Sequence, residues 1–227
     1  ATYTAGASES GSITLTLTTS GSSCSAVTDT KNITVNSNPT ASASTSTGTV
    51  CEDATISLTG GASGGSGGGY GYSWSGPSSY TSSDQSPTIS TDATTAMAGS
   101  YLLTVTDGNT CSSASSSTSI TVNQNPTVTA GGSLFSICQS GTSAAMGGSV
   151  GGGATGGTWS GGAGSWTSAT DVANATYTAG ASESGSITLT LTTSGGSCGS
   201  VTDTKNITVN QNPTAAAGSA LSAICQS

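Results

Sequence analysis

The six cysteines fall into two interleaved series with one common step. Cys24, Cys111 and Cys198 stand 87 residues apart, and so do Cys51, Cys138 and Cys225. The pairs Asn38-Pro39, Asn125-Pro126 and Asn212-Pro213 keep the same step, and residues 1–19 recur almost verbatim at 175–193, two steps on. Three matched series define a tandem repeat. A unit of 87 residues can close its own core, which selects tandem globular modules over a continuous solenoid.

The prolines mark the joins. Each Asn-Pro follows a Val-containing stretch, ITVNSNPT once and ITVNQNPT twice. Proline cannot donate to a central ladder and drives its predecessor into an extended conformation. Joins near 37, 124 and 211 give a C-terminal half-module at 1–36, complete modules at 37–123 and 124–210, and the first strand of a further module at 211–227.

Apolar residues recur with period two. Ile13, Leu15 and Leu17 alternate with threonines, as do Ile187, Leu189 and Leu191. Tyr70, Tyr72 and Trp74 alternate with Gly71 and Ser73, and Ile120 with Val122 and Ile207 with Val209 close the complete modules. This is half-buried strand patterning, and no window carries a helical period. Apolar residues make up only 32% of the chain and charged ones 5%, with Ser, Thr and Gly in their place. Threonine suits strands, so the expected class is all-β, with six to eight short strands per module packed as a sandwich. Trp74 and Trp159 are the expected core aromatics, and Trp166, beside a Gly-rich stretch, is expected at the surface.

Two cysteine pairings fit the spacing. Within a module, Cys51 precedes Cys111 by 60 residues and Cys138 precedes Cys198 by 60, with a Trp between, in the Cys…Trp…Cys order of immunoglobulin sandwiches. Alternatively Cys24–Cys51, Cys111–Cys138 and Cys198–Cys225, each 27 apart, would consume all six and staple modules across the Asn-Pro joins. The within-module pairing leaves Cys24 and Cys225 over, which suits an excerpt of a longer repeat array. Either pattern points to an oxidising, extracellular compartment, and no CxxC cluster suggests zinc.

Most functional classes lack their chemistry. The net charge is −8 and the only cations are Lys31 and Lys205, so phosphate neutralisation for nucleic-acid binding is missing. No apolar run is long enough for a membrane-spanning helix. The Gly-rich runs at 60–71 and 147–157 lack the Lys of a phosphate loop and read as flexible connections. There is no His, no base is placed to activate a serine, and Glu52-Asp53 are adjacent and point to opposite faces of a strand, so no enzyme is expected. No cofactor is expected; for a cation, the weak calcium candidates are Asp84, Asp92 and Asp107, set against a plain role of Asp in turns. Asp203 and Lys205 suggest a local surface pair. Tyr70, Tyr80 and Trp166 are the candidates for surface contact.

The runs YSWSGP at 72–77 and AGSYLLTVTDGNTC at 98–111 resemble repeats of giant secreted surface proteins of gliding Bacteroidota. GGTWSGGAGSWT at 156–167 and the long run from 175 to 214 are similar to their PKD-like, immunoglobulin-like variant. The resemblance implies tandem immunoglobulin-like (PKD-like) β-sandwiches with one internal disulfide each, Cys51–Cys111 and Cys138–Cys198. It further implies export by the type IX pathway to the cell surface, and a place in long filaments that serve attachment, gliding or cell capture. The expected role is a structural shaft whose partners are neighbouring modules of the same polypeptide and identical filaments in a bundle. The alternative is a repeat that binds glycans or cell surfaces directly.

Overall fold

The chain divides into two compact units, Ala1–Gln124 and Asn125–Ser227. The structure, a computed structural model, describes residues 1–21 and 23–220. It is all-β, built of immunoglobulin-like sandwich modules.

The first unit opens with a hairpin, β1 (Gly11–Thr18) against β2 (Thr28–Val35). The sandwich follows: β3 (Pro39–Thr45), β4 (Thr49–Cys51), β5 (Ile56–Gly64), β6 (Tyr70–Gly76), β7 (Tyr80–Ser82), β8 (Thr88–Ser90), β9 (Gly99–Asp107) and β10 (Ser116–Asn123). One sheet is ordered β3-β5-β8, the other β4-β10-β9-β6-β7. The first segment of the module changes sheets midway. β3 runs antiparallel to β5, from Pro39 opposite Gly64 to Thr45 opposite Leu58. After a short turn β4 runs parallel to the end of β10, with Cys51 opposite Asn123. Ile56, Leu58, Trp74, Tyr101, Leu103, Val105, Ile120 and Val122 fill the space between the sheets. These are the inward positions of the period-two pattern.

The second unit repeats the plan: β11 (Pro126–Thr129), β12 (Ile137–Cys138), β13 (Ser149–Gly152), β14 (Gly156–Ser160), β15 (Ser165–Thr167), β16 (Thr176–Thr178), β17 (Gly185–Ser194) and β18 (Thr202–Asn210). β11 pairs with β13, and β12 runs parallel to the end of β18 in the sheet β12-β18-β17-β14. A separate pair, β15 with β16, brings Trp166 opposite Tyr177. Met146, Trp159, Tyr177, Leu189, Leu191, Ile207 and Val209 form the core. Residues 211–220 carry no strand, and the remainder of the expected opening strand, with Cys225, lies outside the described residues.

The hairpin β1–β2 is the sequence twin of β17–β18, and the register is identical: Ile13 faces Ile33 and Leu15 faces Lys31, as Ile187 faces Ile207 and Leu189 faces Lys205. Their surroundings differ. Leu191 is fully buried, whereas its counterpart Leu17 is 73% exposed because no second sheet covers the hairpin.

The Gly-rich runs are not loops throughout, which corrects the expectation of flexible connections. Gly60–Gly64 belong to β5 and Gly148–Gly152 lie at or within β13. Two of these glycines are there for space. A Cβ on Gly60 would sit 3.1 Å from Leu103 Cδ2, 3.2 Å from Trp74 Cζ2 and 2.7 Å from the Gln85 carbonyl oxygen. A Cβ on Gly148 would meet Trp159, Leu191 and the Val172 carbonyl in the same way. A strand whose backbone an indole ring approaches this closely has no room for a side chain there.

Candidate functional site

Each sandwich is pinned by one tryptophan. Trp74, on β6, is buried, and its indole N–H donates to the Asp84 carbonyl at 3.1 Å. Trp159, on β14, is buried and donates to the Val172 carbonyl at 2.9 Å. The ring rests on Gly60 and Leu103 in one module and on Gly148 and Leu191 in the other. In immunoglobulin domains this Trp packs on a disulfide between the sheets. Here a Gly and a Leu stand close to the ring in each module.

The cysteines sit elsewhere, at the two ends of each sandwich. Cys111 lies in the turn between β9 and β10, next to the bridge that pairs Thr106 with Ser112. Cys51 lies opposite Asn123, where β10 ends. Nearly the whole of β10 separates the two, roughly 30 Å at about 3.3 Å per residue. In the second unit Cys198 follows β17 in the turn leading to β18, and Cys138 lies opposite Asn210 at the far end of β18. A disulfide requires Cα atoms within about 7 Å. Cys51–Cys111 and Cys138–Cys198 are therefore not the bridges of this structure. Cys51 and Cys198 are disulfide-bonded, while Cys111 and Cys138 are free thiols. The free Cys111 and Cys138 also rule out the alternative bridge between those two.

The chain threads each module from one of these ends to the other. At the hairpin end, Ser37 N–H donates to Ser66 Oγ at 2.7 Å just before β3 begins. The loop holding Ser66 is tied to the β9–β10 turn through Asp107, whose Oδ2 accepts from the N–H groups of Ser66 and Gly67 and whose Oδ1 accepts from those of Asn109 and Cys111. Burial alone would raise the Asp107 pKa, but the four N–H donors, Cys111 first among them, outweigh it and hold the carboxyl below its ordinary value. In the second unit the Gly153 N–H donates to the Asn125 carbonyl and the Thr155 N–H to the Ser194 carbonyl, so β11 also begins at the hairpin end. Pro126, Ser194, Gly196 and Cys198 line one small hollow there. Each module ends at the opposite pole, where the backbone N–H after the cysteine position, Glu52 or Gln139, donates to the carbonyl of the last strand residue, Asn123 or Asn210.

The remaining candidates take structural places. Asp84 and Asp92 are exposed and stand apart from Asp107 in the ladder; among the described residues no three acidic or cysteine side chains gather as a cation site. Asp107 has both oxygens committed to backbone donors. Trp166 is half-buried, and its indole N–H donates to the Gly161 carbonyl. It lies between Trp159, stacked at 5.9 Å, and Tyr177 at 5.1 Å, and so closes one side of the core. Tyr80 packs edge-on against Tyr101 at 5.6 Å. Tyr70 is the most open of the three candidates, with its hydroxyl donating to the Gly64 carbonyl, while Tyr80 and Trp166 are half-buried.

Three features escaped the sequence reading. Tyr101 stands two residues before Leu103, and its hydroxyl donates back to the Met97 carbonyl at 2.8 Å, the tyrosine corner of immunoglobulin sandwiches. A Tyr two residues before the inward position facing the Trp was the available signal. Lys205 is buried rather than paired on the surface. Its ammonium donates to the Gly132 and Met146 carbonyls and lies 5.5 Å from the centre of the Trp159 ring, while burial pushes its pKa down. Asp203 accepts from the Ala130 N–H. Finally, Tyr177 donates to Glu183, which also accepts from the N–H groups of Ala163 and Gly180 and folds the turn before β17.

No protein-family model and no curated protein sequence matches the chain. The chain is similar to several solved structures at low identity. The chain is 18% identical to an amphioxus IgVJ-C2 molecule over 52% of its length, with a TM-score of 0.33, and spans 63% of that chain. It is 12% identical to the titin I-band fragment I67–I69 over 92% of its length, with a TM-score of 0.46 and 77% of that chain covered. It is 13% identical to extracellular domains 3–5 of Drosophila OTK over 90%, with a TM-score of 0.46 and 72% of that chain covered. No helix is long and apolar enough to cross a membrane among the described residues.

Proposed function

We propose that this chain is a length of structural shaft from an extracellular surface filament or adhesin. The observation that carries the reading is the threading of each module: the chain enters at the hairpin pole beside Pro126 and leaves at the opposite pole beside Asn210. A module threaded from pole to pole contributes its full strand length to the reach of a polypeptide, roughly 30 Å per copy. The few buried polar groups support a scaffold in the same way. Asp107, Thr193 and Lys205 all bind backbone and hold turns, and none is left poised for chemistry.

The motif resemblance adds the finer setting: a cell-surface filament of a gliding bacterium, exported by the type IX route and used for attachment, gliding or cell capture. Its partners are neighbouring repeats of the same polypeptide and identical filaments in a bundle. Direct glycan binding finds less support, because Trp166 and Tyr80 are packed against other rings.

Electron micrographs of the native particle test the reading. The expected image is a thin fibre whose length grows with the number of repeats. A compact particle would refute it, as would reproducible glycan-array binding by the chain that is lost in Tyr70→Ala.

A further inference from the structure

We propose that the uncovered face and edge of the hairpin β1–β2 form a docking surface for one kind of partner, an unpaired first half of a repeat with the sequence of residues 125–174. The inference stands on a comparison of the two copies of the hairpin. It does not depend on the filament reading.

Residues 1–35 and 175–209 differ only at positions 22, 25 and 26. Both copies fold to one hairpin in one register. The turn that precedes it is also the same, with Tyr3, Gly6 and Glu9 bonded as Tyr177, Gly180 and Glu183 are. The uncovered hairpin therefore already holds the conformation that the second unit uses. A partner that fits the covered copy meets a preorganised surface on the uncovered one, and the ordering cost of docking falls on the partner alone.

The second unit shows what fits, group by group. Leu189, Leu191 and Ile207 are buried in one core with Trp159 and Met146. The Lys205 ammonium donates to the carbonyls of Gly132 and Met146. Asp203 accepts from the Ala130 N–H, and Glu183 from the Ala163 N–H. β14 completes the sheet along β17, from Ser160 opposite Thr190 to Gly156 opposite Ser194. On the hairpin β1–β2 each of these groups has a counterpart that still meets solvent. Leu17, Ile33, Asp29, Lys31 and Glu9 are exposed, and Leu15 is half-buried. An open groove runs over Leu15, Leu17, Asp29 and Lys31. Among the described residues, β1 and β2 pair only with each other, so the outer edge of β1 is open where β17 takes β14.

The chemistry of the occupant follows from these groups. It needs a Trp between small residues to cover the leucines, as in GGTWS at 156–160, and free backbone along that strand to extend the ladder. It needs carbonyls for the Lys31 ammonium and N–H groups for the Asp29 and Glu9 carboxylates. It must bring little charge of its own against Leu15, Leu17 and Ile33. Residues 125–174 meet these demands, with Asp171 their single charged side chain. Within the second unit that stretch is already engaged by β17 and β18, so the occupant is a first half that has no hairpin of its own.

The test is titration of the intact chain with a synthetic peptide of residues 125–174 carrying Cys138→Ser, followed by calorimetry and by amide hydrogen exchange read by NMR. The expected result is saturable one-to-one binding, with exchange slowed in Gly11–Thr18 and Thr28–Val35. Leu17→Ser and Lys31→Ala in the chain should each weaken binding roughly tenfold or more, since each removes a group that docking buries. Both side chains are exposed in the free hairpin, so neither change disturbs the unbound fold. Trp159→Ala in the peptide should abolish the slowed exchange. Absence of binding would overturn the proposal, as would binding indifferent to Leu17→Ser and Lys31→Ala. Changes confined to residues 175–210, which would report exchange with the second unit's own hairpin, would overturn it as well.

Discussion

Replacing Gly60 by Ala should destabilise the first sandwich, and the structure sets the size of the effect. The added methyl would lie 2.7 Å from the Gln85 carbonyl oxygen, 3.1 Å from Leu103 Cδ2 and 3.2 Å from Trp74 Cζ2. Carbon contacts are comfortable near about 3.5–4.0 Å. The Leu103 methyl can give way by rotation, but the other two neighbours are held. Trp74 is buried and its N–H is anchored on Asp84. Gln85 is locked to Gly60 twice, since its carbonyl accepts from the Gly60 N–H and its side-chain amide donates to the Gly60 carbonyl. Overpacking of this kind costs about 1–3 kcal/mol. Removing a glycine from the unfolded chain returns roughly 0.4–1 kcal/mol. The net loss is about 1–2 kcal/mol, and at roughly 4–8 °C per kcal/mol for a domain of this size the Tm should fall by about 10 °C. Differential scanning calorimetry of the intact chain measures it. Gly68→Ala is the control, because nothing lies within 4 Å of its Cβ position and its backbone is not left-handed, so its Tm should stay close to wild type. A Gly60→Ala protein as stable as Gly68→Ala would refute the claim that this glycine is kept for the indole ring.

Four further outcomes follow from the same geometry. Gly148→Ala should lower the stability of the second unit at least as much, because its Cβ would lie 2.8 Å from Trp159 Cζ2 and Trp166 backs that ring. Tyr101→Phe removes one buried hydroxyl bond to Met97 and should cost about 1 kcal/mol in urea titration. Lys205→Ala strips two carbonyls of a charged donor and should cost about 2 kcal/mol or more, whereas Lys31→Ala, at the same register position of the uncovered hairpin, should be near neutral. For Asp107 the native pKa lies below the unfolded value, so its contribution is in place above the ordinary aspartate range near about pH 4. That contribution is lost as the pH falls through the lower native value. In a Tm-versus-pH series Asp107→Asn should therefore narrow its deficit against wild type on acidification, and a constant deficit from pH 7 to pH 2 would contradict the assignment.

The two copies of one hairpin show what a sequence of this kind makes legible. In the segment ATYTAGASES, residues 1–10, Tyr3 donates to Glu9 and Glu9 accepts from the Gly6 N–H. The copy at 175–184 makes the same bonds between Tyr177, Glu183 and Gly180, although Tyr177 is buried and Tyr3 is not. The turn is local, as is the strand register, and both are written in the ten or twenty residues that form them. Period-two alternation therefore identified the inward faces of β10, β17 and β18 without a structure. Thr14 bonds to Asn32 as Thr188 bonds to Asn206, one more cross-strand contact that needs nothing beyond the hairpin.

What depends on distant neighbours was not legible. Leu17 and Leu191 share their local sequence, yet only Leu191 meets Trp159 and Gly148 from the other strands. Lys31 and Lys205 share theirs, yet only Lys205 finds the carbonyls of Gly132 and Met146 above it. The cysteines were misjudged for the same reason. Their order around a Trp matched an immunoglobulin domain, but order along the chain does not reveal at which end of a strand a turn lies. The decisive facts are that β4 runs parallel to β10 and that Cys51 falls at its last rung. A parallel pairing after a sheet switch carries no short-range signature, because the strands it joins are some 70 residues apart in the chain. Once that rung is placed, the Gly and Leu beneath Trp74 become intelligible: with the sulfur moved to the poles, the space under the ring is closed by removing a side chain from one strand and extending one from the other.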